Sequence, residues 1–321
     1  MSKRTLRLGL IGCGTVGGAF AEALAERRSD IEARLGASLE LAEVAVKHPE
    51  RPRLVVGRAR LHGDAAAIAA DGSLPLVIEA SGAKEAPAWL HTALARGAAV
   101  VTAHKQALAN DPRLLCALAE HHPRLFCEAA VAAAVPIVRA LGASLGSDDV
   151  LSLRGVLNGT TTYVLSRIEE GEDFTAAVSA AREAGYAEQD PTDDLSGRDA
   201  AAKLAILTTI AWREPVSLDQ VDTRGIGPDI TAQLRARPKD SGRVRLVAQA
   251  YRNGTLRASV APSLLAPGDP LSEATGVDNV IEVQASVAGR LIWRGPGAGG
   301  RATASALLAD TVAAARIILQ S

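Results

Sequence analysis

The chain has 321 residues, 48% of them hydrophobic, and a formal net charge of -1 at pH 7. This length predicts two domains with enough apolar residues for two cores. A charge so close to zero provides no electrostatic footprint for nucleic acid or an anionic membrane, which excludes both kinds of partner. Three cysteines without paired spacing indicate reduced, buried thiols. Since neither a secretion signal nor a membrane span is expected, the sequence predicts a cytoplasmic protein.

The first half of the chain alternates between short apolar runs and helical stretches. The run LRLGLIG, residues 6–12, predicts a buried strand, and AFAEALAERRSDIEARLG carries apolar residues at helical spacing up to a helix stop at Gly36. Four more strands are predicted at LELAEVAV, PLVIEASG, GAAVVTAHK and RLFCEAAV. Strands separated by helices predict an α/β domain with a doubly wound, mostly parallel sheet.

The first strand leads into a glycine-rich turn, Gly12-Cys13-Gly14-Thr15-Val16-Gly17. A G-x-G-x-x-G turn between a strand and a helix is typical of the dinucleotide-binding Rossmann domain. There Gly12 permits the tight turn, Gly14 lets the backbone approach a pyrophosphate, and Gly17 allows the helix to pack closely on the strand. The start of the helix offers free N–H groups to the phosphates. The alternative is an ordinary glycine-rich turn.

The end of the second strand indicates which dinucleotide is bound. An NAD site usually places Asp or Glu there, whereas this chain has Lys47, followed by Arg51 and Arg53. A cation attracts the 2′-phosphate of NADP, so the sequence favours NADP over NAD. A solvated basic loop is the alternative.

The strict alternation ends near residue 140. The signals that follow are a turn at Asn158-Gly159, a helix that starts in the threonines from Thr160, a helix at residues 173–186, a hairpin around Asn253-Gly254 and two strands around Gly289. Helices with hairpin-linked strands predict an α+β domain with an antiparallel sheet. An apolar helix closes the chain. We therefore predict a dinucleotide-binding domain over residues 1–140 plus the C-terminal helix 303–321, and a second domain over residues 141–302 for substrate binding, catalysis and dimerisation.

The polar cluster of the second half is GYAEQDPTDDLSGRDAAAKLAIL, residues 185–207. Asp199 and Lys203 are four residues apart, so they share one face of a helix predicted from about Leu195. An exposed ion pair worth roughly 0.3–0.5 kcal/mol is the simplest interpretation. Against it, Lys203 is flanked by apolar residues that indicate a buried helix. Hydride transfer needs a group that moves the alcohol proton, and carboxylates bind an ammonium, so the cluster points to an amino-acid alcohol or aldehyde.

The same stretch closely resembles the signature of the homoserine dehydrogenase family. The resemblance continues, in the family's order, through GCGTVG, EASGA, VTAHKQALA, CEAAVAAAVPIV, LNGTTTYVL and GPGAGGRATASALLAD. It implies NAD(P)-dependent interconversion of L-homoserine and L-aspartate 4-semialdehyde, an oxidation of a CH–OH group in threonine, methionine and isoleucine biosynthesis. It also implies a homodimer formed through the sheet of the second domain.

The resemblance assigns roles to individual residues. Lys203 matches the proton-transferring lysine, Asp199 the acid beside it, and Lys105 a lysine between cofactor and substrate that is a second candidate for proton transfer. Binding of a phosphate or carboxylate is the alternative for Lys105. The positions that match substrate-binding residues are Glu188, Asp194, Gly159 and Thr160, and those that match nucleotide-contacting residues are Gly12, Thr15, Val16, Ser81 and Gly299.

A sodium site is implied at Glu128 together with the carbonyls of Val131, Ala133 and Val135. Hard oxygen ligands suit such an ion. The alternative is a buried glutamate held by backbone N–H groups.

The chain departs from the family's pattern at several positions. Alanines replace glycines in EAAVAAAVPIV, His104 replaces an asparagine, and DAAAKL lacks the arginine common before the lysine. Lys47 stands near a frequent arginine, and it could hold NADP productively or in a pose that leaves NAD as the working cofactor. No ACT or aspartokinase domain is expected. Two other functions stay open: an amino-acid dehydrogenase acting on an amine, and a non-catalytic nucleotide sensor.

Overall fold

The chain divides into two compact units. In the computed structural model, which describes residues 4–51, 53–236 and 241–320, one unit comprises the residues up to 134 and from 299 onward. The other unit comprises residues 135–298. The boundaries predicted from the sequence, at 140/141 and 302/303, lie a few residues later.

The first unit contains a six-stranded parallel sheet in the order β3-β2-β1-β4-β5-β6. Every residue of β4 and β5 is buried, as in parallel strands covered on both faces. This confirms the doubly wound sheet, to which β3 adds a strand too short for its pattern to show in the sequence. The strands are β1 (Thr5–Ile11), β2 (Ser38–Ala45), β3 (Arg60–His62), β4 (Leu76–Glu79), β5 (Ala99–Thr102) and β6 (Leu125–Phe126).

Helices connect these strands. The long helix predicted after β1 consists of two helices, because the chain leaves helical geometry at Arg27 (φ -101°, ψ 7°). Gly36 ends the second of them in the left-handed conformation, φ 66°, as its position indicates. The helices are α1 (Thr15–Glu26), α2 (Arg28–Leu35), α3 (Ala65–Ala70), α4 (Ala86–Ala95), α5 (Lys105–Asn110) and α6 (Pro112–Ala119).

The second unit contains a six-stranded sheet in the order β12-β11-β7-β9-β10-β8. Its neighbours are antiparallel except for the short β8, which pairs with β10 in parallel. The strands are β7 (Val150–Val156), β8 (Asp222–Thr223), β9 (Arg243–Asn253), β10 (Thr255–Leu265), β11 (Asp278–Ala285) and β12 (Gly289–Pro296). The helices are α7 (Ile137–Arg139), α8 (Gly159–Glu169), α9 (Phe174–Glu183), α10 (Thr192–Leu195), α11 (Arg198–Trp212) and α12 (Asp229–Arg235). The α+β architecture is confirmed.

The last helix, α13 (Gly300–Gln320), belongs to the first unit. Its residues Ala304, Leu307 and Ala314 join the core cluster around Leu8 and Phe20. Contrary to the expectation from the sequence, α13 is long and apolar enough to cross a membrane by length and composition. One such helix is weak evidence for a span, since a buried core helix passes the same test.

The three cysteines are free, but they differ in exposure. Cys13 and Cys127 are buried, whereas Cys116 is exposed, so the expectation of three buried thiols is wrong for Cys116. Cys116 lies on α6 but is not one of its buried residues, which include Leu114 and Leu118. Burial raises the pKa of the Cys13 thiol, and it raises that of Cys127 well above its ordinary value.

We expect one thiol per native chain, that of Cys116, to react rapidly with Ellman's reagent at neutral pH. The two buried thiols stay protonated and shielded, and they should react only after unfolding. Cys116→Ser should remove the fast phase and leave the melting temperature nearly unchanged. Fast reaction of a second thiol in that variant would contradict the buried environment of Cys13 or Cys127.

Candidate active site

The glycine-rich turn at the end of β1 has the close packing that its sequence predicts. Gly12 has φ 90°, and a Cβ there would lie 2.5 Å from the Cα of Ser81. A Cβ on Gly17 would lie 2.0 Å from the carbonyl oxygen of Gly12. At Gly14, by contrast, a Cβ would meet nothing within 4 Å. Packing therefore requires glycine at positions 12 and 17. Gly14 instead leaves open space over the backbone, which a bound phosphate needs.

Two helices begin at this turn. Helix α1 starts at Thr15 without a side-chain cap, so its first N–H groups are not satisfied by a capping side chain. Helix α13 starts at Gly300, where a Cβ would lie 3.2 Å from Thr15 Cγ2. Gly299 just before it has φ 112°. Two helix N-termini, each carrying a partial positive charge, thus meet next to Thr15 and suit a pyrophosphate.

Basic residues follow β2, which pairs with β1. Lys47 is exposed, two residues after the end of β2. The Arg53 guanidinium donates from Nη1 to the carbonyls of His48 (3.0 Å) and Arg51 (3.1 Å), and from Nε to that of Cys13 (3.4 Å). Arg53 therefore ties the basic loop to the glycine turn, a contact that sequence reasoning did not predict. A lysine stands where an NAD site usually has an acid.

Ser81 and Lys105 lie at the carboxyl edge of the same sheet. Ser81 follows β4 and packs on Gly12, while Lys105 is the first residue of α5, just after β5. Ligands of doubly wound sheets bind at this edge. The cofactor positions predicted in the first unit are thus gathered at one edge of one sheet.

In the second unit, Asp199 and Lys203 occupy one face of α11, as their spacing predicts. Lys203 Nζ lies 2.8 Å from Asp199 Oδ2, and the two side chains are 12% and 9% exposed. Lys203 also donates a hydrogen bond of 2.6 Å to the carbonyl of Leu157, at the end of β7. The pair is buried rather than an exposed surface ion pair, and the carbonyl adds a second acceptor for the ammonium.

Asn158 connects this pair to a second carboxylate. Its Nδ2 donates to Asp194 Oδ1 (2.7 Å) and to Asp199 Oδ2 (2.9 Å), while its Oδ1 accepts from the N–H of Thr161 as the N-cap of α8. Thr160 Oγ1 lies 2.8 Å from Asp194 Oδ2. Asn158 was interpreted from the sequence only as part of a turn. The N-x-x-T pattern before a helix is the signal that could have identified it as a cap.

The structure places the other predicted substrate residues as follows. Gly159 packs tightly, because a Cβ there would lie 3.0 Å from the carbonyl oxygen of Gly276, which would have to shift slightly to accommodate it. Glu188 is exposed in the loop between α9 and α10 and has no hydrogen bond or ion pair with the described part of the chain. Gly159, Thr160 and Asp194 are therefore brought together with Asp199 and Lys203. Glu188 makes none of these bonds, although the carbonyl of Tyr186, two residues before it, lies 2.7 Å from Thr160 Oγ1.

The proposed sodium ligands lie around a buried turn. Glu128 is 5% exposed, and its N–H donates to Asp310 Oδ2 at 2.8 Å. The carbonyls of Val131 and Ala133 lie in a segment in which Ala132 and Ala133 have φ of 56° and 44°. Alanine tolerates this conformation at a cost of about 1–2 kcal/mol per residue, so the alanines keep a backbone shape that favours glycine. Carboxylate and carbonyl oxygens are donors of the kind that such an ion prefers. The sodium ion and the part played by Val135 stay predictions.

Together the two units have the features of a nicotinamide-dependent oxidoreductase. The first carries a Rossmann sheet with a glycine turn and converging helix N-termini. The second carries a buried lysine–carboxylate pair joined to a further acid through Asn158.

Comparison with known proteins identifies the family. A family model described as "Homoserine dehydrogenase, NAD binding domain" matches residues 12–130, and one described as "Homoserine dehydrogenase" matches residues 136–312. The homoserine dehydrogenase of Corynebacterium glutamicum is 37% identical over 318 residues, covering 96% of this chain and 72% of its own length. That of Mycobacterium leprae is 37% identical over 327 residues, covering 98% and 73%.

Solved structures agree with this assignment. A homoserine dehydrogenase from Thiobacillus denitrificans superposes with a TM-score of 0.91 at 28% identity, over all of this chain and 75% of that one. A hyperthermophilic archaeal homoserine dehydrogenase in complex with NADPH gives a TM-score of 0.82 at 27% identity, over 99% and 98%. The chain belongs to the homoserine dehydrogenase family, oxidoreductases that interconvert L-homoserine and L-aspartate 4-semialdehyde with NAD or NADP.

Proposed function

We propose that Lys203 moves the proton in this reaction and that Asp199 positions it. The observation that carries the proposal is the arrangement of the Lys203 ammonium, which donates to Asp199 and to the Leu157 carbonyl. An ammonium has three donors, so one N–H is left for the oxygen of the substrate. In the reducing direction this N–H donates the proton to the aldehyde oxygen, and in the oxidising direction the amine receives the hydroxyl proton.

The bound nicotinamide supplies the hydride acceptor or donor. The chain's own residues hold the substrate against it. Asp194 accepts a hydrogen bond from Asn158, and Thr160 Oγ1 lies 2.8 Å from Asp194 Oδ2 and 2.7 Å from the Tyr186 carbonyl, two acceptors for its single hydrogen. At most two of the about four lone-pair sites of the Asp194 carboxylate are therefore occupied by these residues. The remaining sites suit the α-ammonium of homoserine. Asp194 and Asp199 together carry one more charge than Lys203 offsets, and the α-ammonium of the substrate neutralises this remaining negative charge. Glu188, which is exposed, is proposed to reach the ammonium from its loop.

Lys105 is proposed to contact both the cofactor and the reacting end of the substrate, and it is the second candidate for proton transfer. Its place at the carboxyl edge of the sheet, directly after β5, supports this role. Lys203 is favoured for the proton transfer because it is paired with a buried carboxylate, Asp199, that can share the proton.

The cofactor is proposed to be NADP, with Lys47 binding its 2′-phosphate. The exposed ammonium after β2 and the absence of an acid at the end of that strand support the proposal. In the alternative, Lys47 holds NADP in an unproductive pose and NAD is the working cofactor.

A homodimer is proposed to form through one face of the β7–β12 sheet. Tyr251 and Ile292 are 40% and 45% exposed. Tyr251 pairs with Ser152, and Ile292 pairs with Glu282, which itself pairs with Arg154. Because Ser152 and Arg154 are alternate residues of β7, Tyr251 and Ile292 lie on the same face of the sheet. Two large side chains exposed on the same sheet face support an interface there, on a face that also carries the ion-paired Arg154, Glu282 and Arg290.

Lys203→Met should lower turnover of homoserine by roughly 10²- to 10⁴-fold while cofactor affinity stays nearly unchanged, because only the proton-transferring group is lost. Steady-state kinetics and cofactor titration measure the two effects. Arg198→Ala, which removes an exposed cation from the same helix, should leave turnover near that of the wild type. Since Asp199 loses its partner, thermal unfolding must show that the variant is folded. Wild-type turnover in folded Lys203→Met would transfer the role to Lys105 or water.

Lys47→Ala should raise the Kd for NADP by about tenfold and leave that for NAD within about twofold, because only NADP carries the 2′-phosphate. Fluorescence titration of both cofactors tests this. Arg34→Ala, at the exposed end of α2, removes the same charge elsewhere and should change neither affinity. Equal weakening of both cofactors would show that Lys47 does not recognise the 2′-phosphate.

Light scattering on a sizing column should give the mass of two chains. Ile292→Lys places a charge on the proposed interface and should shift the mass towards one chain. Val287→Lys is the matched control, because Val287 is 87% exposed but lies in the turn between β11 and β12. A single-chain mass for the wild type, or the same shift in both variants, would reject this interface.

A further inference from the structure

A closed chain of hydrogen bonds joins the ends of β4 and β5 in the first unit, and it centres on a buried glutamate. Glu79 and Thr102 are both fully buried. Glu79 Oε1 accepts from the N–H (2.8 Å) and the hydroxyl (2.7 Å) of Ser81, and Oε2 accepts from the hydroxyl of Thr102 (2.7 Å). All three donors are neutral, and within the part of the chain that the structure describes Glu79 forms no ion pair.

The carboxylate fixes the direction of both hydroxyl groups. A carboxylate only accepts, so the single hydrogen of each hydroxyl must point to Glu79. The lone pairs then accept from the next backbone groups: Ser81 Oγ from the N–H of Ala83 (3.1 Å), and Thr102 Oγ1 from the N–H of His104 (3.0 Å). One acid thereby holds the turn after β4 and the first residues after β5.

His104 closes the chain of bonds. Its Nε2 lies 3.0 Å from the carbonyl oxygen of Ala83, an acceptor, and its Nδ1 lies 3.2 Å from the N–H of Ala107, a donor. These two partners suit the tautomer with its hydrogen on Nε2. His104 caps α5 and at the same time bonds to the turn after Ser81. The asparagine that His104 replaces has a shorter side chain, and its amide oxygen and nitrogen would not lie where the two ring nitrogens of His104 lie.

The residue that follows His104 is Lys105, the first residue of α5. On the opposite side of this closed chain of hydrogen bonds lies Ser81, whose Cα packs on Gly12 of the glycine turn. The bonds around Glu79 thus join the backbone that carries Lys105 to the backbone that packs on the glycine turn. The links are hydrogen bonds of 2.7 to 3.2 Å, and they connect the ends of β4 and β5 to the start of α5.

We propose that Glu79 is a positioning residue, which fixes Lys105 relative to the glycine turn through Thr102 and His104. The inference rests on the role proposed for Lys105. A displacement of about 1 Å is enough to lower a rate by up to about 100-fold. The positioning therefore affects turnover even though Glu79 itself is sealed from the substrate.

Thr102→Val tests this link, because it keeps the shape of the side chain and removes the hydroxyl. It should lower turnover roughly tenfold. Thr102→Ser restores the hydroxyl and should recover most of the loss. Thr311→Val is the matched control: Thr311 is fully buried in the same unit, but its hydroxyl has no hydrogen-bond partner among the described residues, so turnover should stay at the wild-type level. Far-ultraviolet dichroism and melting temperature check the folding of each variant.

A double-mutant cycle with Lys105→Met distinguishes positioning from general destabilisation. If Glu79 acts through Lys105, Thr102→Val should cost less than about twofold once Lys105 is gone. The same tenfold cost in both backgrounds would overturn the proposal while leaving the role of Lys105 intact. Wild-type turnover in Lys105→Met alone would refute the role of Lys105, and this inference with it. Loss of folding in Thr102→Val but not in Thr102→Ser, with full turnover in His104→Ala, would also overturn it.

Discussion

The need to compensate a buried lysine organises the second unit. A charge taken out of water is tolerated only when it is paired and hydrogen-bonded. Asp199 lies one helical turn before Lys203 and satisfies this need within α11, while the carbonyl of Leu157 completes it from the end of β7. A second carboxylate close by, that of Asp194, would repel the first. The Asn158 amide donates to both and holds them apart. The start of α8, the short α10 and α11 are therefore joined by one polar network.

The first unit, by contrast, has the features of a site that binds anions. It does so mainly with backbone groups: the open turn at Gly14 and the converging starts of α1 and α13 offer N–H groups and a positive potential. The buried negative charge near this edge, that of Glu79, is fully engaged by neutral donors. A glutamate in that position orients hydroxyl groups without drawing a cation away from the ligand.

The sequence predicts most of this architecture because the relevant signals are local. The glycine turn, the strand–helix alternation and the i,i+4 spacing of Asp199 and Lys203 all act within a few residues. What it misses depends on distant contacts: the amide of Asn158 between two acids, and the bonds of Arg53 to the glycine turn. The helix predicted from about Leu195 begins instead at residue 198, since Gly197 turns the chain at φ 83°. The cytoplasmic location, the sodium ion and the homodimer stay predictions.

The most direct test compares two substrates with the wild-type protein: L-homoserine, and 4-hydroxybutyrate, which is the same alcohol without the ammonium. Nicotinamide reduction is followed by absorbance with NAD and with NADP in parallel. The account predicts reduction that depends on homoserine, with kcat/KM for 4-hydroxybutyrate lower by at least about 100-fold, because the Lys203 ammonium pairs with Asp199, and Asp194 then has no ammonium to neutralise it. No homoserine-dependent reduction in a protein that binds the cofactor, or equal use of both alcohols, would contradict it.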